Sequence, residues 1–339
     1  MPSMKERKIK IIATIGPGSN YPEILNKFKE RGVDFFRINL SHTDEEDIEQ
    51  RIKDLLGYGV PIILDTEGPQ VRSGNNEEIN LEEGKEIKIF NRKVDCNNEK
   101  LFLRPLDSVE KLKKGDILHM DFEFTLLKVT NVSTMSDDYI TCKIIKGGAV
   151  GSKKGIHIEG ALGFPALSQK DKRAIELAKK YGIKNFTLSF IRNAEEVKEF
   201  KEIYPEATVY SKIECNDALQ DLENIIKISD GVLIDRGDLS REVKAEQIPF
   251  IKKSVLKLCK SLGKPAIVAT NTLEGMSTSL RYNQAEINDV ANILLDGAEG
   301  IALTKETAVG KYPLETVSRL AAIIKETENF MKKIQEQKT

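Results

Sequence analysis

The stretch SKIECNDALQDLENIIKISDGVLIDRGDLS puts Lys212 and Glu214 at the end of one apolar run and Asp238 just past the end of the next. Charged groups gain nothing from packing there, so the choice lies between solvated loop acids, a local salt bridge and a chemical use. If the two runs are neighbouring strands, Glu214 and Asp238 converge on one divalent cation. Mg2+ and Mn2+ suit this arrangement, with one or two protein carboxylates and the other positions left to water and substrate oxygens. A lysine beside such an ion stabilises charge that develops on a transferred phosphoryl group or an enolate oxygen.

Other polar residues gather at the ends of apolar runs in the same way: Arg37, Asn39 and Ser41, then Asp65 and Thr66, then Thr270, and last Thr304 and Glu306. Arg37 and Arg72 carry forked donors that match phosphate, and its place at a run's end favours Arg37. The oxygens of Asn39, Ser41, Asp65 and Thr66 make a hard set suited to a monovalent cation, although Thr43 or Asp44 as the N-cap of EEDIEQ accounts for part of that stretch. The loop DRGDLS opens a short helix whose amides suit an anion, with Asp235 and Asp238 working against it. His42, His119 and His157 are too dispersed for a metal triad, and neither a phosphate-binding GxxxxGK[ST] loop nor a nucleophile elbow is present.

The elements that must position these residues are eight short β-branched runs with helical patterns between them: KIIATIG, FFRINL, PIILDT, FTLSFI, VYSKIE, GVLIDR, AIVAT and GIALT. Alternation of this kind predicts parallel strands joined by crossover helices, closing into a (β/α)8 barrel with its polar residues on the carboxyl-terminal face. Helices are expected over Tyr21 to Arg31, Glu45 to Leu56, Asp171 to Tyr181, Ala194 to Tyr204, Asp217 to Ile228, Ala245 to Leu262, Asn283 to Leu295 and Leu314 to Ile334. The rhythm breaks after the third run. Short alternating segments such as EIKIF, DILHM, FTLLKV and YITCKII predict a small antiparallel β-barrel inserted as a lid, giving barrel residues 1–66, an inserted domain 67–163 and barrel residues 164–339.

Lys and Arg total 52 against 53 Asp and Glu, so no global field draws the chain to nucleic acid or an anionic membrane, and any anion site must be local. No apolar run approaches the roughly 20 residues of a membrane helix, and the amino terminus lacks a signal-type segment, which makes the cytoplasm the expected compartment. Four scattered cysteines read as small buried hydrophobes in a reducing environment.

The segments KIIATIGPGS, DFFRINLSH, ILDTEGPQVR, SKKGIHIEG, SKIE, DGVLIDRGDL, GKPAIVATNTLEGM and AEINDVANILLDGAEGIALTKETAVGKYP together resemble the pyruvate kinase family along nearly the whole chain. The resemblance implies phosphoryl transfer between phosphoenolpyruvate and ADP, giving pyruvate and ATP, through an enolate stabilised by Mg2+ or Mn2+, often with K+. It assigns Glu214 and Asp238 to the divalent ion and Lys212 to the phosphoryl and enolate charge. Arg37 falls to phosphate, Gly237 and its neighbouring amides to the substrate carboxylate, and Thr270 to the carbon that is protonated. Arg72 and Lys154 fall to nucleotide phosphates, His42 to the nucleotide side, and Asn39, Ser41, Asp65 and Thr66 to the monovalent cation.

Several positions depart from that pattern. The family's DTKGPEIR is DTEGPQVR here, where Glu67 reverses a charge and Gln70 removes an acid tied to K+ use, which puts K+ dependence in question. ARGDLG is DRGDLS, so Asp235 and Ser240 replace small neutral residues beside a carboxylate pocket, a repulsion unless Asp235 turns away or is paired. SGET becomes TKET with Lys305, PTRAE becomes YNQAE without an arginine of a subunit contact, and DDG becomes DFE at Asp121 to Glu123. The resemblance also stops before the family's carboxyl-terminal regulatory domain, so a short form is expected, as a monomer or homo-oligomer. The alternatives are a relative that acts on another 2-oxo or enol acid and a non-catalytic binding protein; retention of Lys212, Glu214 and Asp238 disfavours the latter.

Overall fold

A computed structural model describes residues 7–120, 125–132, 138–152, 154–158 and 164–337. The eight apolar runs form parallel strands: β1 Lys10–Thr14, β2 Phe35–Asn39, β3 Ile62–Asp65, β4 Asn185–Leu188, β5 Thr208–Ile213, β6 Gly231–Asp235, β7 Ala266–Ala269 and β8 Gly300–Leu303. Each pairs with its neighbours in sequence, and β8 pairs with β1 to close the barrel. Such strands are buried on both faces, which is why they read as nearly continuous apolar runs.

The period of two along each strand decides what the barrel contains. Ile11, Ala13, Ile38, Leu64, Val209, Val232, Ile234, Val268 and Ile301 belong to the large core shared with the helices. Residues of the other parity, Ile12, Ile63, Leu233, Ile267 and Ala302, form a separate cluster joined by Phe35 and Tyr210, the filling of the barrel itself. Two residues further along five of these strands stand Thr14, Arg37, Asp65, Lys212 and Asp235, all of them buried. The polar layer therefore lies directly on the apolar one. Register supports the stacking, with Thr14 opposite Arg37, Ile63 opposite Arg37 and Leu233 opposite Lys212.

Among the helices, Gln169–Tyr181 starts at a reciprocal Ser168/Asp171 capping box and stops at Gly182, whose φ of 69° is left-handed. Asp171 also accepts from the amides of Glu67 and Gly68 at 2.7 and 3.0 Å, which ties down the chain as it leaves β3. The helix expected over Asp217 to Ile228 is two, Asn216–Gln220 and Leu222–Ile228. The break falls at Asp221, whose carboxylate accepts from Ala194 N and Asn224 Nδ2, each at 2.7 Å, and so serves the neighbouring turn instead of continuing the spiral. Asp44 stands before a 3-10 turn, Glu45–Asp47, and makes no side-chain capping bond.

The chain divides into two units, Met1–Gly68 with Ala166–Thr339, and Pro69–Pro165. The second contains a closed barrel of seven strands with its own core, including Val71, Ile87, Ile89, Leu101, Leu118, Leu127 and Cys142. Among the described residues its pairs are antiparallel with one exception: Glu86–Phe90 and Lys100–Arg104 run parallel. A ribbon of Ile79–Leu81 and Gly148–Val150 accompanies it. Asp121 to Glu123 lie outside the described residues. No helix among the described residues is long and apolar enough to cross a membrane.

Candidate active site

Lys212 and Glu214 are two residues apart at the end of β5 and so face the same way, into the barrel mouth. The Lys212 ammonium lies 2.9 Å from Glu214 Oε2, 3.3 Å from Asp235 Oδ2 and 3.8 Å from Asp65 Oδ1, with Ser189 Oγ at 3.2 Å. Burial alone would pull its pKa down, but Asp65, Glu214, Asp235 and Asp238 together hold it well above the ordinary lysine value. The ammonium is thus a permanent charge, not a base.

Glu214 is fully buried. Its Oε1 accepts from Phe190 N at 2.7 Å, and Oε2 is ion-paired with the Lys212 ammonium at 2.9 Å. Burial pushes its pKa up to about 8, against the pull of Lys212 and helped by Asp238 and Asp235. An oxygen-rich cluster that holds one carboxyl reluctantly ionised is one that a cation would relieve. Ligand oxygens of Glu214, Asp235 and Asp238 all lie within 4.8 Å of one another, and three hard carboxylate donors gathered this closely fit a divalent ion. Asp238, half-buried, also pairs with Arg241 at 3.1 Å.

Asp235, read from the sequence as a repulsive departure, is paired. Its Oδ1 accepts from Gly237 N at 3.2 Å and lies 3.1 Å from Thr270 Oγ1, and its other oxygen meets Lys212. Arg37 and Lys212 hold this carboxyl below its ordinary pKa although burial works the other way.

Thr270 reaches this group by leaving strand geometry. Its φ of 61° and that of Asn271, 52°, are left-handed, a region that costs non-glycine residues about 1–2 kcal/mol each. Arg236 holds the strained turn in place: Nη2 donates to the carbonyls of Thr270 and Asn271 at 2.7 and 2.8 Å, and Nη1 binds Asp289 at 2.6 Å. The Thr270 hydroxyl then accepts from Gly237 N at 2.7 Å. Nothing in the sequence reading marked Arg236, since an arginine's type says little about whether it braces a backbone.

Arg37 donates to Thr14 Oγ1 at 2.7 Å and pairs with Asp65, leaving Nε buried and without a partner. Thr187 Oγ1 takes the other Asp65 oxygen. Of the remaining oxygens expected around a monovalent cation, Asn39 Oδ1 accepts from Ser41 N at 2.9 Å and Thr66 Oγ1 accepts from Ser189 N at 2.8 Å. These bonds give each residue a structural reason to be there. His42 is exposed on the turn that follows β2. Arg72 and Lys154 belong to the second unit, where they come together: Ser73 N donates to Lys154 O at 2.8 Å and Arg72 sits opposite Gly155.

The family profile for the pyruvate kinase barrel domain matches residues 6–317. The chain belongs to the pyruvate kinase family. It is 37% identical to a pyruvate kinase of Thermotoga maritima, across 95% of this chain and 71% of that relative. Against a pyruvate kinase of Geobacillus stearothermophilus the identity is 33%, across 96% of this chain and 58% of the relative's length. A crystal structure of a pyruvate kinase from Cryptosporidium parvum matches with a TM-score of 0.79 at 30% identity, covering 95% of this chain and 70% of that one. Two family departures have ion-pair partners: Lys305 is exposed and pairs with Glu274 at 3.2 Å, and Glu67 pairs with Lys170 at 3.4 Å. Ser240 Oγ donates to Gly237 O at 2.7 Å and so faces the loop's own backbone.

Proposed function

We propose that this chain catalyses phosphoryl transfer between phosphoenolpyruvate and ADP, giving pyruvate and ATP. The observation that carries this reading is the buried Lys212 ammonium set among Glu214, Asp235 and Asp65 at the barrel mouth, beside a carboxylate cluster suited to Mg2+ or Mn2+. Glu214 and Asp238 would hold the ion, which supplies Lewis-acid stabilisation of oxygens on the reacting groups. Lys212 offsets negative charge as the phosphoryl group leaves the enol oxygen, a role that needs a fixed positive charge and no proton exchange. Arg37 offers its free Nε to a phosphate oxygen.

Gly237 N and the Thr270 hydroxyl orient the carboxylate end of the substrate, with Thr270 near the carbon that receives the proton. Arg72 and Lys154 serve the nucleotide phosphates, with His42 on the nucleotide side. Asn39, Ser41, Asp65 and Thr66 are the ligands for K+ if the chain uses it; Gln70 and the bonds those oxygens already make argue for activity without it. The compartment that fits is the cytoplasm, where both substrates of this reaction occur.

Coupled detection of pyruvate from phosphoenolpyruvate, ADP and Mg2+ tests the reading. Turnover in the native protein, lowered about 100- to 1,000-fold in Lys212→Met, supports it. Absence of pyruvate from a folded, metal-loaded protein refutes it.

A further inference from the structure

Three groups meet one side chain of this protein: Gly237 N, which donates to Thr270 Oγ1 at 2.7 Å, also reaches Asp235 Oδ1 at 3.2 Å; the Thr270 hydroxyl, with Ala269 O at 2.7 Å, lies 3.1 Å from Oδ1; and the Lys212 ammonium meets Oδ2 at 3.3 Å. Asp235 is buried, so solvent does not share the work of solvating it. An ammonium, with an amide and a hydroxyl in longer, shared contacts, is a set of groups that a ligand carboxylate would use, and here the chain sets its own carboxylate against them. We propose that Asp235 is a specificity-determining residue that competes with the carboxylate of an incoming substrate for these donors. The inference rests on the reading of the site as one for a phosphorylated enol acid.

Charge points the same way. The Asp235 carboxylate is buried and already bonded to Lys212, so a ligand carboxylate that reaches the same ammonium comes up against that anion at close range. Like charges brought together away from water repel unless one of them moves or is replaced. A substrate bearing only phosphate does not need the three donors, and Asp235 leaves its binding largely alone. The site is thereby biased against carboxylates at one end and not against phosphate at the other.

Isothermal titration calorimetry at saturating Mg2+, with phosphoenolpyruvate and inorganic phosphate as separate probes, tests this. Asp235→Ala is expected to bind phosphoenolpyruvate about ten-fold or more tightly than the native protein, with phosphate affinity changed by less than about three-fold. Asp235 also caps its own turn, so Asp235→Asn, which keeps an oxygen for Gly237 N but sheds the charge, is measured beside it and is expected to fall between the two. Equal affinity for phosphoenolpyruvate in all three proteins overturns the inference, as does an equal gain for both probes, which would signal general charge removal. The reaction is scored separately. If the calorimetric difference persists but no variant forms pyruvate, phosphoryl transfer to ADP is refuted and the role of Asp235 stands.

Discussion

Arg236 grips the carbonyl of Thr270 with two of its nitrogens, Nη2 at 2.7 Å and Nε at 3.2 Å, and so holds a threonine in a backbone conformation that threonine disfavours. This contact aims the Thr270 hydroxyl at Gly237. Without it the strain is relieved by relaxation toward ordinary φ, and the hydroxyl turns away from the barrel mouth.

Arg236→Lys keeps the charge that faces Asp289 but loses the fork that spans two carbonyls. The expected result is a fall in kcat of about 10- to 100-fold, the scale of a misplaced reacting group, with Mn2+ affinity unchanged. Steady-state kinetics alongside Mn2+ titration checks this. A matched loss of Mn2+ binding would mean that Arg236 acts by holding Asp238.

Metal-free protein should lose stability as pH rises, and the cause should be traceable to Glu214. Its folded pKa of about 8 lies above the ordinary 4.5, so the folded state holds a proton that the unfolded state has released between those values. The stabilisation is complete below about 4.5 and is lost as pH climbs through 8. Glu214→Gln does not titrate there. The melting temperature of the native protein relative to Glu214→Gln, followed from pH 5 to 9 in chelator, is expected to decline up to about pH 8 and then level off. A constant difference would contradict the assignment.

The thiols provide an independent check on packing. Burial pushes Cys142, Cys215 and Cys259 up to about 12, whereas Cys96 is only half-buried. Because the thiolate is the reactive form, native protein at pH 8 should titrate at most one thiol with Ellman's reagent and all four in guanidinium. Fast reaction of two or more in the native state would mean that the barrel or the second core opens readily.

The barrel was legible because its strands lie buried on both faces and so spell unbroken apolar runs, and the polar residues at their ends stood out against that background. Glu214, Lys212 and Asp238 could be found that way. The state of Asp235 could not, because whether a buried acid repels a ligand or takes its place depends on which donors reach it, and Thr270 gets there only by a left-handed turn. Arg236 was missed for a related reason: its partners are carbonyls, which carry no signature in the residue types. The split at Asp221 escaped notice because apolar periodicity continues through it while the carboxylate binds an amide 27 residues away. Parallel pairing inside the small barrel escaped for the same reason, since alternation alone does not encode strand direction.

Mn2+ binding to the protein without substrate, followed by electron paramagnetic resonance or calorimetry, decides whether Glu214 and Asp238 form a metal centre beside Lys212. One strong site per chain is expected, abolished by Glu214→Gln and weakened at least about ten-fold by Asp238→Asn, as follows when a carboxylate bound directly to the ion is lost. Unchanged Mn2+ binding in Glu214→Gln would contradict it, because the ion would then lie away from Lys212 and the proposed chemistry would have no centre.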